Sequence, residues 1–159
     1  MDSWFEVLVV SSDLTLRRRL ADILVSLGID PVRLSTLREC HEILEQRRVG
    51  LVFCDPRLSD GNYHDLLAAY PAPTIRPRVV VTSGTADWDE FKEAMQRGAF
   101  DVIPVPCRHT DVEWMVIQAK RAERQSGTLG LLRVERPERA KASGAAMSIG
   151  ANALATSHK

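Results

Sequence analysis

The sequence predicts an α/β fold: a five-stranded parallel sheet in the order 2-1-3-4-5, with helices on both faces. Three observations carry this reading. Short apolar runs alternate five times with longer segments of helical spacing, which implies right-handed parallel crossovers. The third run, Leu51–Cys54, is apolar without interruption, as a strand buried on both faces requires. It stops at a single carboxylate, Asp55, and breaks into a turn with Pro56, Ser59, Asp60 and Gly61. In open α/β sheets, ligands and chemistry gather beyond that end of the strands.

Each element has its local reason. Residues 5–10 read as the first strand, and Ser11, Ser12 and Asp13 as a polar turn. Leu16, Leu20, Ile23, Leu24 and Leu27 then recur at helical spacing up to Gly28, a residue suited to a helix C-terminus. Residues 31–34 form a short second strand opened by Pro31, which lacks an amide donor. Thr36 and Glu39 have capping-box spacing ahead of the stripe Leu37, Cys40, Leu44. After the central run, a short helix over residues 63–70 ends before Pro71 and Pro73. Residues 79–81 form the fourth strand, followed by Thr82, Ser83 and Gly84. Asp87 is placed to cap a helix carrying Trp88, Phe91 and Met95 on one side. Gly98 closes it, and residues 100–103 form the fifth strand before the stiff Pro104-Val105-Pro106 loop. Thr110 and Glu113 repeat the capping-box spacing and open a last helix through Gln125.

At 159 residues the chain has room for one ordinary domain, here placed at residues 1–125. Residues 126–159 shift to Gly, Ala, Ser and charge, with an apolar island at 129–134. The expectation is a largely disordered basic tail, because so little apolar surface does not offset the entropy of ordering. Five basic residues in it (Arg133, Arg136, Arg139, Lys141, Lys159) oppose two acidic ones (Glu135, Glu138), which makes the tail +3 and the remainder −3. The whole chain is balanced at 21 of each sign, so composition points to neither nucleic acid nor an anionic membrane as partner. Cys40, Cys54 and Cys107 are odd in number and sit in apolar or helical surroundings, which suits reduced thiols. The N-terminus enters a strand pattern without a basic leader region. No run approaches a membrane span. A cytoplasmic location is expected.

The residues that end strands one, three, four and five converge in such a sheet: Ser11, Ser12 and Asp13; Asp55; Thr82 and Ser83; Val105. Other chemistry lacks its residues. His41, His64, His109 and His158 show no metal-ligand spacing with the cysteines. No G-x-S-x-G surrounds Ser83 and no G-x-G-x-x-G follows the first strand, so hydrolase and dinucleotide readings fail. No nucleophile and base pair can be named, and the chain is not read as an enzyme. Arg17, Arg18 and Arg19 are expected on the solvated side of the first helix. Trp114, Met115, Val116 and Ile117 make the last helix apolar on more than one side, a surplus that suits protein binding.

Over residues 5–124 the segments VLVVSSD, LVFCDPRLSDG, VVVTSG and QRGAFDVIPVP together resemble a response-regulator receiver domain of two-component signalling. The resemblance implies the flavodoxin-like receiver fold and makes Asp55 the phosphoacceptor position, with Ser83 and Thr82 as site hydroxyls. It also implies an acidic pair for Mg²⁺ where this chain has Ser11 and Ser12, and a lysine where it has Val105. A neutral hydroxyl is a poor ligand for a hard cation. With the pair and the lysine gone, Asp55 alone remains, so the formal charge is −1 where the family pattern would give −2. Asp13, one residue past the pair, is read first as a helix cap and only weakly, with Asp55, as a metal ligand. Where the family often has an aromatic residue in the fifth strand, this chain has Val102.

These departures lead to the reading of a stand-alone, atypical receiver domain in phosphorelay signalling. It would act by protein contact with reduced or absent Mg²⁺-dependent phosphorylation and need no cofactor, Mg²⁺ entering only if the site functions. By the same resemblance, partners are a histidine kinase or a downstream signalling protein, and the contact surface is the fourth helix, fifth strand and last helix. A homodimer through the fourth and fifth helices is a further option. The alternative is an ordinary receiver that accepts a phosphoryl group from a histidine kinase on Asp55.

Overall fold

The structure, a computed structural model, describes residues 5–85 and 87–128. The chain divides into a unit over residues 1–124 and a second over 125–159; of the second, only the end of the last helix is described. The apolar island at 129–134, the basic residues of the tail and His158 lie outside the described residues.

The order along the chain is β1 (Val7–Val10), α1 (Leu14–Ser26), β2 (Val32–Leu34), α2 (Leu37–Gln46), β3 (Leu51–Cys54), β4 (Arg57–Leu58), β5 (Gly61–Asn62), α3 (Tyr63–Ala68), β6 (Val79–Ser83), α4 (Trp88–Gln96), β7 (Asp101–Pro104) and α5 (His109–Thr128). The main sheet runs β2-β1-β3-β6-β7, with every neighbouring pair parallel. This is the expected 2-1-3-4-5, since β4 and β5 form a separate two-stranded hairpin.

Strand periodicity divides the core between the two sheet faces. Val7, Val9, Leu51, Phe53, Val80 and Ile103 point into one buried cluster with Leu16, Leu20 and Leu24 of α1 and Val112, Met115 and Val116 of α5. Leu8, Val10, Val52, Cys54, Val79, Val81 and Val102 point into the other, with Leu37 and Cys40 of α2, Leu66 and Leu67 of α3 and Ala94 of α4. Both faces of the central strands are therefore covered, which is why Leu51–Cys54 carries no polar residue.

Several local readings recur in the structure. The Asp13 carboxylate accepts from the Thr15 and Leu16 amides and caps α1. Thr36 and Glu39 form the expected capping box, and Asp87 caps α4 by accepting from the Glu90 amide. Gly28 and Gly98 follow their helices at φ 86° and 104°, a region that favours glycine.

Other readings need correction. α5 begins at His109, one residue before Thr110, so Thr110 lies within the first turn and Glu113 instead sits 3.8 Å from the His109 ring. The same helix continues to Thr128, past the residue at which the tail was expected to start. Arg18 and Arg19 are exposed as expected and Arg17 is half-buried, but two of the three also bond backbone carbonyls. Arg17 donates to the Ser11 carbonyl at 2.5 Å and Arg19 to the Cys107 carbonyl at 3.1 Å. The apolar surplus of α5 reduces largely to Ile117, because Met115 and Val116 are buried and Trp114 packs against the core. At the far end of α5, Glu123 accepts from Arg48 and, at 2.7 Å, from Arg78.

The β4–β5 hairpin has a long-range role. Asp60, at its turn, accepts from the Leu37 and Arg38 amides, both at 2.9 Å, and so caps α2 from outside that helix. These bonds hold its carboxyl below the ordinary range. A depressed carboxyl contributes stability above its unfolded pKa and loses it as pH falls through the folded value. Asp60→Asn should therefore be less stable than the parent at neutral pH, with the gap closing as both are unfolded in urea at progressively lower pH. A gap that stayed constant would deny Asp60 this role.

All three cysteines are free and buried. Burial pushes the thiols of Cys40 and Cys107 up to about 12 and about 11, and that of Cys54 upward as well. No helix among the described residues is long and apolar enough to cross a membrane.

Candidate functional site

Side-chain parity builds the site. In register, Val9 of β1 lies beside Phe53 of β3, and Phe53 beside Val80 of β6. Two residues further along each strand come Ser11, Asp55 and Thr82, which continue the same side of the sheet just where the strands end. The backbone holds this corner together: the Asp55 amide donates to the Val10 carbonyl at 3.1 Å. The strand-end geometry thus gathers one carboxylate and two hydroxyls into a single cluster.

Asp55 is buried at 8% exposure and both its oxygens are engaged. Oδ2 accepts from the Ser11 hydroxyl at 2.7 Å and from the Ser12 amide at 3.3 Å. Oδ1 accepts from the Thr82 hydroxyl at 2.9 Å. Ser11 is itself positioned by the Asp13 amide, which donates to its Oγ at 3.0 Å. The site is a carboxylate wrapped in neutral donors from two neighbouring strand ends.

The two hydroxyls expected beside Asp55 part company. Thr82 reaches it, whereas Ser83, one residue on, faces the opposite side of the strand, and its hydroxyl donates to Glu90 of α4. Period-two alternation along β6 carries that distinction, and Glu90 is the site neighbour that no sequence motif marked. Val105 packs as a partly buried residue against the α1/α5 core, its amide donating to the Ser83 carbonyl at 2.9 Å and its peptide bond to Pro106 cis. Val102 is buried on the α4 side.

A divalent cation does not fit these residues. The oxygens of Asp55 already accept three hydrogen bonds. Ser11 and Ser12 offer no anionic oxygen, and Asp13 gives its Oδ1 to two amides at the start of α1. No group of three or more His, Cys, Asp or Glu among the described residues is arranged to hold a metal ion.

Comparison with solved structures finds the same fold. The chain is similar to the signal receiver domain of a protein described as a Luxo repressor from Vibrio parahaemolyticus, with 21% identity and a TM-score of 0.70 over 78% of this chain and 96% of that one. It is similar to the chemotaxis response regulator CheY4 of Vibrio cholerae, with 13% identity and a TM-score of 0.65 over 72% and 98%. It is also similar to the beryllofluoride-activated NtrC4 receiver domain dimer, with 22% identity and a TM-score of 0.64 over 72% and 94%. A search of curated proteins returned no match. The sequence model of the response regulator receiver domain covers residues 7–116, from the start of β1 into α5 and across every strand end that builds the Asp55 cluster, and the chain belongs to that family.

Proposed function

We propose that this receiver domain works in two-component signalling as a protein-contact module whose activity does not depend on phosphorylation of Asp55. The observation that carries the reading is the occupation of Asp55. Its oxygens are bonded to Ser11, Ser12 and Thr82, and the positions where the family resemblance puts metal-binding acids and a lysine hold Ser11, Ser12 and Val105. Phosphoryl transfer is mainly a matter of positioning and charge neutralisation. Ser11, Ser12 and Val105 supply neither an anionic metal ligand nor a cation for those tasks. The partner is a histidine kinase or a downstream signalling protein, met through α4, β7 and α5, and a homodimer through α4 and α5 uses the same surface.

One observation favours a second reading, an ordinary receiver phosphorylated by a histidine kinase: the Thr82 hydroxyl lies 2.9 Å from Asp55, where it could also bond an acyl phosphate. Incubation with acetyl phosphate and Mg²⁺, followed by intact mass, separates the two. The expected result is no gain of a phosphoryl group. A stoichiometric gain that disappears in Asp55→Asn would overturn the proposal and establish the second reading.

A further inference from the structure

α4 buries fewer of its own residues than α1, α2 or α3. Ala94 is its one fully buried residue, whereas α1 buries five. The aromatic pair of α4, Trp88 and Phe91, is stacked with centroids 5.7 Å apart, and Trp88 remains 37% exposed. In its first turn Phe91 packs partly buried against the core, and Glu90 supplies a polar tie to the end of β6. One carboxylate oxygen, Oε1, accepts from both the Ser83 and Thr85 hydroxyls, and the Glu90 amide donates back to Asp87 at 2.8 Å.

We propose that Glu90 is a positioning residue, a carboxylate latch that ties α4 to the end of β6 and sets the Trp88–Phe91 face for partner contact. The inference rests on the reading of α4 as part of the contact surface. The end of β6 is the junction that makes such a latch consequential. Thr82 bonds Asp55; the Ser83 side chain bonds Glu90; the Ser83 carbonyl accepts from Val105. Two consecutive residues therefore connect the Asp55 cluster, the β7–α5 loop and α4. Ser83 is fully buried, so its hydroxyl has a strong reason to keep a charged acceptor. A helix with little buried apolar surface opens locally at low cost, and the hydrogen bonds to Glu90 oppose that opening.

Native-state hydrogen exchange, resolved by residue, tests the latch in the intact protein without knowledge of the partner. Glu90→Ala and Ser83→Ala should each accelerate the amides of Phe91, Lys92, Glu93 and Ala94 by about tenfold or more, leaving those of β1 and β3 within about twofold. The double variant should add little to Glu90→Ala, which already removes the Ser83 bond together with that of Thr85. Glu90→Gln, which keeps an acceptor oxygen, should recover most of the protection. Unchanged exchange in α4, or acceleration spread equally over β1 and β3, would overturn the latch. Neither result depends on whether Asp55 accepts phosphate, so failure of this inference and failure of the proposed function are read separately.

Discussion

Phe53→Ala is expected to cost about 3–5 kcal/mol of folding stability, the largest effect of any single truncation in the sheet. Phe53 lies in the middle strand, fully buried, with Val9 and Val80 directly beside it on the flanking strands. Its ring belongs to the cluster shared by α1 and α5, so truncation removes a large apolar contact and leaves a cavity that two helices and three strands bound. Backbone pairing keeps the strands in place, and the space collapses only in part. Guanidinium unfolding followed by circular dichroism measures the loss as a fall in midpoint with an unchanged slope. As a control, Ile75→Ala, at a residue 62% exposed, should change stability by less than about 0.5 kcal/mol. A loss at Phe53 below about 1 kcal/mol would mean that the centre of the core lies elsewhere.

Asp55→Ala should also destabilise, by about 2 kcal/mol, and the sign matters more than the size. Two effects compete. Removing a buried carboxylate relieves its desolvation, but it also deprives two hydroxyls and an amide of their acceptor. Fallback partners moderate that second loss: the Ser11 hydroxyl lies 3.3 Å from the Asp13 carbonyl, and the Thr82 hydroxyl 3.4 Å from that of Cys54. Both alternatives are longer and uncharged, so the net effect remains a loss. Thr82→Val alone should cost less, and the two changes together less than their sum, with a coupling of at least about 0.5 kcal/mol in a double-mutant cycle. If Asp55→Ala instead raised the unfolding midpoint, the carboxylate would be a strained charge kept for reactivity. The phosphorylatable reading would then gain ground.

What the sequence made legible is what neighbouring residues decide. The apolar run Leu51–Cys54, the caps at Asp13, Thr36 and Asp87, and the glycines after α1 and α4 each rest on contacts within a few residues, and each recurs in the structure. The β4–β5 hairpin did not show, because two-residue strands are too short to display a period. Asp60 read as a turn residue, and its bonds to Leu37 and Arg38 span more than twenty positions, a reach that no local pattern announces. Arg17 and Arg19 read as surface charge because the carbonyls they bond become available only once loops fold back over α1.

At the site, the convergence of Ser11, Asp55 and Thr82 followed from strand ends. That Thr82 and not Ser83 meets Asp55 was implicit in strand alternation, since Thr82 shares the parity of Val80. The partnership of Ser83 with Glu90 depends on where α4 docks, which lies beyond parity and spacing alike.

The buried thiols have a consequence for watching this protein move. Burial raises the pKa of all three thiols and so suppresses the reactive thiolate at neutral pH, and an alkylating reagent meets little target until the surrounding structure opens. Cys40 and Cys54 lie on the α2–α4 side of the sheet and Cys107 on the α1/α5 side. The chain thus carries a separate chemical clock in each of its two layers. The order in which the clocks run down tells which side of the sheet loosens first.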